Sequence, residues 1–260
     1  MKKYKLLFIL FLVSQTIFCQ KNNILVEYTF DNGHFKNLET LIANNKDAIK
    51  ITGSLTFEND SIIEGKSDNN YIINQKLIKI GKKSIFSSLE NKYVHIIMPY
   101  SDNKTYFVKD ELINLDWKLV TNENLTISGY KCSKAILNFR GRDYVAYYTT
   151  EIPISFGPWK FKNLPGLILY IYSETGSINF SWKAQKIIHP YVDFKKSIKW
   201  NDKEKTITLK DYVAIREAEN EKRSKIIDSR TSQGSKLVKT EIKRLGLEFI
   251  YEWEEETKEN

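Results

Sequence analysis

Alternation of apolar and polar side chains, the period of a pleated strand, recurs along most of this chain. Ile24–Phe30 is β-rich and ends at Asp31-Asn32-Gly33, a turn signal. Ile49–Phe57 alternates, breaks at Glu58-Asn59-Asp60 and resumes at Ser61–Ile63, which reads as a hairpin. Between these, Leu38–Ala43 reads as a short helical turn. Residues 71–98 hold brief apolar runs, Tyr71–Ile73 and Tyr93–Met98, after a polar loop at Lys66–Asn70; Lys104–Val108 and Leu115–Val120 follow as strands. From there the spacing is regular: Lys131–Phe139, Tyr144–Thr149, Gly166–Tyr172 and Ile178–Ile188, with tight turns at Arg140–Asp143 and Glu174–Ser177. Short strands so spaced, with few helices, predict a mainly β protein with a late helix. Its strands form a single antiparallel, strongly curved sheet or an open barrel or sandwich.

The helix comes late. Thr208 and Asp211 fit a capping box, and Leu209 to about Asp228 then lacks glycine and proline. Apolar residues thin out after Ala218, so the helix is expected to pack near its start and to be solvated beyond it. Ser229–Gly234 reads as a loop, and the acidic tail 252–260 is expected to fray. With no internal repeat and no composition break, residues 20–251 read as one β-rich domain.

The amino terminus supplies an address. Lys2, Lys3 and Lys5 precede the apolar run Leu6–Val13 and then Ser14–Gln20, the order of a Sec-type signal peptide ending at Cys19. The alternative makes Cys19 a lipidated residue, but Phe18 is bulky where such a site takes a small one. No later run is long and apolar enough to span a bilayer. Removing residues 1–19 lowers the formal charge from +8 to +5, spread along the chain rather than clustered, so nucleic acid is not an expected partner. One cysteine, Cys132, then remains, which excludes an intramolecular disulfide and reads as a small buried hydrophobe.

Glu151–Gly166 departs from the alternating pattern. Pro153, Pro158 and Pro165 make up three of the five prolines, joined by Gly157 and Gly166, and among them stand Phe156, Trp159, Phe161 and Leu164. Proline fixes φ and glycine frees it, so the path of this connector is largely covalent. Large apolar side chains in a connector either fold back to plug the sheet, line the mouth of a cavity, or form a docking patch.

Glu151-Ile-Pro-Ile154, Gly157-Pro158 and above all Leu164-Pro165-Gly166-Leu167-Ile168 resemble the GLPGLI family of exported bacterial proteins. Gly129 to Ala135, followed by the Gly-Arg turn, agrees in order. The resemblance covers roughly residues 105–190. Asn163 stands where the family's first glycine is expected; if that position needs positive φ, asparagine tolerates it best. The resemblance implies an exported protein of a Gram-negative envelope, periplasmic, outer-membrane-associated or secreted. It carries no catalytic residues over. A looser likeness is to periplasmic lipoprotein-carrier folds.

Catalytic signatures are absent. His34, His95 and His189 lack ligand spacing, and no HExxH, CxxC, GxSxG or phosphate-cradling loop occurs, so neither metal nor cofactor is expected. Arg140 and Arg142 read as a solvated hairpin or turn-edge salt bridge, or else a polar rim. The reading these residues favour is a non-enzymatic binder of an apolar small molecule or of an envelope protein. Its candidate site is Glu151, Pro153, Phe156, Gly157, Pro158, Trp159, Phe161, Leu164, Pro165 and Gly166. Two rivals stand beside it: a hydrolase assembled from Glu151, His189 and an arginine, and a component of a surface complex using the charged helix from Leu209.

Overall fold

Backbone pairing, not helix packing, organises the chain. The computed structural model describes residues 23–52, 70–73, 76–79, 83–99, 104–112, 115–175, 178–192, 200, 205–230, 244 and 246–255. The predicted signal peptide, the hairpin expected beyond residue 52, the expected Lys66–Asn70 loop except Asn70, residues 231–234 of the expected late loop, and residues 256–260 lie outside them.

The strands are β1 (Ile24–Asp31), β2 (Lys36–Ala43), β3 (Asp47–Thr52), β4 (Asn70–Ile73), β5 (Lys76–Lys79), β6 (Ser84–Ser88), β7 (Tyr93–Pro99), β8 (Thr105–Glu111), β9 (Lys118–Ile127), β10 (Tyr130–Phe139), β11 (Arg142–Thr149), β12 (Leu167–Ser173), β13 (Ser181–Ile188) and β14 (Ile207–Thr208). Two helices follow, α1 (Leu209–Arg230) and the short α2 (Glu252–Glu255). Twelve strands form one sheet in the order β14-β8-β7-β6-β3-β2-β1-β13-β12-β11-β10-β9, while β4 and β5 pair separately. β14 runs parallel to β8 and the other pairings are antiparallel, so the sheet is mixed; β14 and β9 are its two edges, so it is not closed.

The predicted strands from residue 131 onward are found within a few residues of their expected ends. Leu38–Ala43 is a correction. Its i, i+3, i+4 apolar spacing suggests a helical turn, but it lies within β2, paired with β1 (Val26↔Leu41) and β3 (Ile42↔Ile49). Leu41 enters one core and Ile42 the other, so burial on both faces and two ladders override a weak local preference.

Tight turns follow from backbone chemistry. Arg140 and Gly141 both have positive φ (47° and 77°), as a two-residue turn between right-twisted strands requires, and Phe139 pairs with Arg142 across it. At the helix, Asp211 N–H donates to Thr208 Oγ1 at 3.1 Å and the Thr208 hydroxyl donates to Asp211 Oδ2 at 2.7 Å. Leu209, Tyr212 and Val213 are buried, and the helix is mostly exposed from Arg216 to Ile226, as the apolar pattern predicts.

The sheet curls. Asp110 on β8 and Arg140 at the β10–β11 turn are at least eight strand spacings apart along the ladder, about 38 Å if flat at ~4.8 Å each. Yet Arg140 Nη2 lies 2.9 Å from Asp110 Oδ1. Register shifts at Glu27/Tyr28, Ser133/Lys134 and Tyr147/Tyr148 add the local twist that such bending needs. The inner face carries the main core, including Val26, Tyr28, Leu41, Val108, Tyr144 and Trp182; a smaller cluster of Leu25, Ile42, Ile49, Phe86 and Ile97 covers part of the other face.

Candidate functional site

The connector between β11 and β12 folds back into the main core. Ile154 N–H donates to Ile152 O and Phe156 N–H to Ile154 O, both at 2.8 Å, so the chain turns tightly around Pro153. Gly157 N–H to Phe161 O (2.9 Å) and Asn163 N–H to Ser155 O (3.0 Å) close a small loop, and Ile168 N–H to Phe156 O (3.1 Å) ties it to β12. Asn163 has φ 73°, the left-handed conformation that asparagine tolerates in place of glycine. Trp159 also has positive φ (52°), uncommon for so bulky a residue. Trp159 stacks on Trp182 (6.3 Å between ring centres, 10° between planes) and meets Phe161 edge-on at 5.1 Å; Phe161 meets Tyr144 at 4.9 Å.

Below these rings lies a set of buried charges that hairpin chemistry does not predict. Arg140 donates to both oxygens of Asp110 (2.9 and 3.1 Å), to Glu252 Oε1 (2.9 Å) and to Glu248. Lys160 Nζ lies 2.7 Å from Asp110 Oδ2 and 2.6 Å from Glu248 Oε1. Burial works against the Asp110 carboxylate, but Lys160 and Arg140 outweigh it and hold the group below its ordinary range. Burial likewise opposes charge on Arg140, and Glu248, Asp110 and Glu252 reverse the balance and raise it. Arg142 donates to Gly246 O (2.9 and 3.0 Å) and to Thr175 O, and lies against the Phe249 ring (3.9 Å).

These contacts correct two expectations. Arg140 and Arg142 are not a solvated hairpin or a rim, but buried anchors for the segment 246–255. Residues 252–255 do not fray: they form α2, with Glu252 on Arg140 and Glu254 on Arg244. Each buried cation has a partner because an isolated charge there would be strongly unfavourable. A second buried pair, Lys50 Nζ to Glu39 Oε2 (3.1 Å), is completed by Trp182 Nε1–H donating to the same oxygen at 2.7 Å. Burial is the larger influence on Lys50, whose ammonium is pushed down to about 8 although Glu39 opposes the shift.

Between the connector, β6 and β7, the start of α1 and the segment 246–251 lies a cavity of about 260 Å³. Ile96, Met98, Trp159, Phe180, Leu209 and Tyr212 are among its apolar and aromatic walls, and its polar lining includes Lys83, Lys160, Arg216, Arg244 and Glu248. Arg216, exposed on α1, marks the solvent side.

The predicted site residues divide. Phe156, Gly157, Pro158, Trp159, Phe161, Leu164 and Gly166 are buried, so the four large side chains form no exposed patch, and of the ten only Trp159 lines the cavity. Pro153 and Pro165 are exposed; so is Glu151, which accepts from Lys131 N–H at 2.9 Å. His189 is exposed at the end of β13, and among the described residues no hydrogen bond or ion pair joins it to Glu151. Among the described residues, no group of three or more His, Cys, Asp or Glu is placed to hold a metal, and no helix is long and apolar enough to cross a membrane.

None of these inward-facing charges was placed inside from the sequence, although strand parity carried a signal for some of them. Glu39 alternates with Leu41, Lys50 with Ala48, Lys83 with Ile85, Asp110 with Val108 and Arg142 with Tyr144, and each apolar member points into the main core. A charge at an inward position therefore marked each of them. Lys160, Arg216, Arg244 and Glu248 carried no such mark.

A model of a family described as a protein of unknown function (Porph_ging) matches residues 140–170, the stretch holding the β10–β11 turn, the connector and the start of β12. No curated protein matches the sequence. Among solved structures, one of PNGF-II aligns with TM-score 0.50 at 15% identity, covering 75% of this chain and 33% of that one. A second structure of PNGF-II aligns at 0.43 and 16%, covering 72% and 30%. The likeness is one of fold, and it is to PNGF-II rather than to a lipoprotein carrier; this chain spans about a third of that protein's length.

Proposed function

We propose that this is an exported envelope protein that binds a small molecule non-enzymatically, housing the guest's apolar body in the cavity under the connector. The observation that carries the reading is the cavity itself, about 260 Å³ behind a wall formed by Trp159. Concave, largely apolar spaces with a few convergent polar groups are where proteins take small ligands. The walls are preorganised: the proline-glycine connector and the aromatic stack hold Trp159 in place, so little order remains to be imposed on binding. Export follows from the basic, apolar and polar order of residues 1–20, and an exported binder of this kind would act on envelope molecules.

The test is to purify the protein from its own host and examine it intact by native mass spectrometry, beside a Val213→Phe variant. Val213 lines the cavity, and the added ring occupies it. The expected outcome is a small-molecule adduct on the wild type that is lost from the folded variant. No adduct on the wild type, or one that survives Val213→Phe, overturns the reading.

A further inference from the structure

We infer that the guest carries an anionic head group, carboxylate or phosphate, and that Lys83 and Arg216 are the residues that hold it. This rests on the cavity being a binding site. Four cations line the cavity. Lys160 is engaged by Asp110 and Glu248, and Arg244 by Glu217 and Glu254. Lys83 and Arg216 have neither an ion pair nor a side-chain hydrogen bond among the described residues, although both face the same space.

Electrostatics gives the two a common purpose. Lys83 is half-buried two residues before the inward-facing Ile85, and burial is the main cause that lowers its ammonium from the ordinary range. The charge of Lys160 lowers it further and Arg216 adds to this, while Glu248 and Glu39 pull the other way. Two cations that feel each other across a cavity, neither of them in an ion pair among the described residues, leave a place where negative charge is favourable. A ligand cation has a poorer place to go, because Glu248 Oε1 already accepts from Arg140 and Lys160. The apolar end is provided for by Ile96, Met98, Trp159 and Leu209, which line the same cavity. At roughly 30 Å³ per water, the space holds about nine waters, which suits an amphiphile of about ten non-hydrogen atoms.

The experiment compares octanoate, octyl phosphate, octan-1-ol and octylamine by calorimetry on the whole mature protein. The expected result is that at least one of the two anions binds about tenfold or more tightly than octanol, as one charge-assisted contact provides. Octylamine should be the weakest, and the advantage of the anion should shrink with added salt. The tighter of octanoate and octyl phosphate identifies the head group. Lys83→Met combined with Arg216→Gln should collapse the difference between anion and alcohol; neither side chain anchors the fold, so the double variant remains folded by circular dichroism. Octanol binding as tightly as either anion, or a preference that persists in the double variant, overturns the inference while leaving the cavity reading intact. If none of the four binds, the inference fails together with the cavity reading.

Discussion

Replacing Gly166 by alanine isolates what the Leu-Pro-Gly-Leu-Ile stretch does. A Cβ on Gly166 would stand 2.0 Å from Thr149 O, 2.7 Å from Thr149 C and 3.1 Å from Thr150 Cα, all backbone atoms. Ordinary non-bonded contact lies at about 3.5–4.0 Å, so the two backbones must separate by more than about 1 Å. That displacement falls where β12 begins, at the Thr149↔Leu167 pair, and beside the hydrogen bond from Leu167 N–H to Ile152 O at 3.1 Å. Overpacking of this kind costs about 1–3 kcal/mol, and one or two disrupted hydrogen bonds add about 1 kcal/mol each, giving a loss of roughly 2–5 kcal/mol. Gly129 is the control: its φ is +85° and nothing lies within 4 Å, so Gly129→Ala meets conformational strain alone, about 1–2 kcal/mol. Gly157 falls between them, since its Cβ would press on the Ile168 side chain at 2.7 Å rather than on backbone. Urea unfolding of the mature protein, followed by circular dichroism and tryptophan fluorescence together, measures all three. The reasoning is refuted if Gly166→Ala loses less than about 1 kcal/mol, or less than Gly129→Ala does.

The buried network makes a second prediction: Asp110→Asn removes the anion shared by Arg140 and Lys160 and should destabilise the fold by about 3–5 kcal/mol, read as a lower urea midpoint. A loss within the range of surface substitutions would mean that the charges are solvated. The third concerns pH. With Lys50 lowered to about 8 in the fold against 10.5 unfolded, the unfolded chain binds more protons between those values, so this group raises stability as pH climbs through that window. The tyrosines act oppositely, Tyr28 being raised by burial so that stability falls above its ordinary value of 10.0. Urea midpoints measured from about pH 8 to just below 10 should rise less in Lys50→Met than in wild type. An unchanged slope would refute the assignment.

Much of the outline was legible from neighbours in the chain, because backbone geometry is local. Side-chain alternation located β10 to β13; glycine at 141 marked a hairpin turn; Thr208 and Asp211 marked the start of α1. Asn163 at φ 73° kept the turn that a glycine would have made. The prolines announced a stiff connector, and its rings folded inward as a plug, one of the alternatives the sequence left open.

What the chain could not decide alone is where charge is allowed inside. Arg140 meets Glu252 across 112 positions of sequence and Trp182 meets Glu39 across 143, and no periodicity relates them. An isolated Arg-Gly-Arg turn reads as solvated, because burying a guanidinium is prohibitive until its carboxylates arrive. Only the curling of the sheet, which brings β8 to the β10–β11 turn, and the return of residues 246–255 supply those partners. Pairing with β1 and β3 settles β2 as a strand, and the folding-back of the connector places the cavity behind Trp159. Local chain geometry determined the strands and their turns; long-range desolvation and charge pairing decided which polar residues could lie among them.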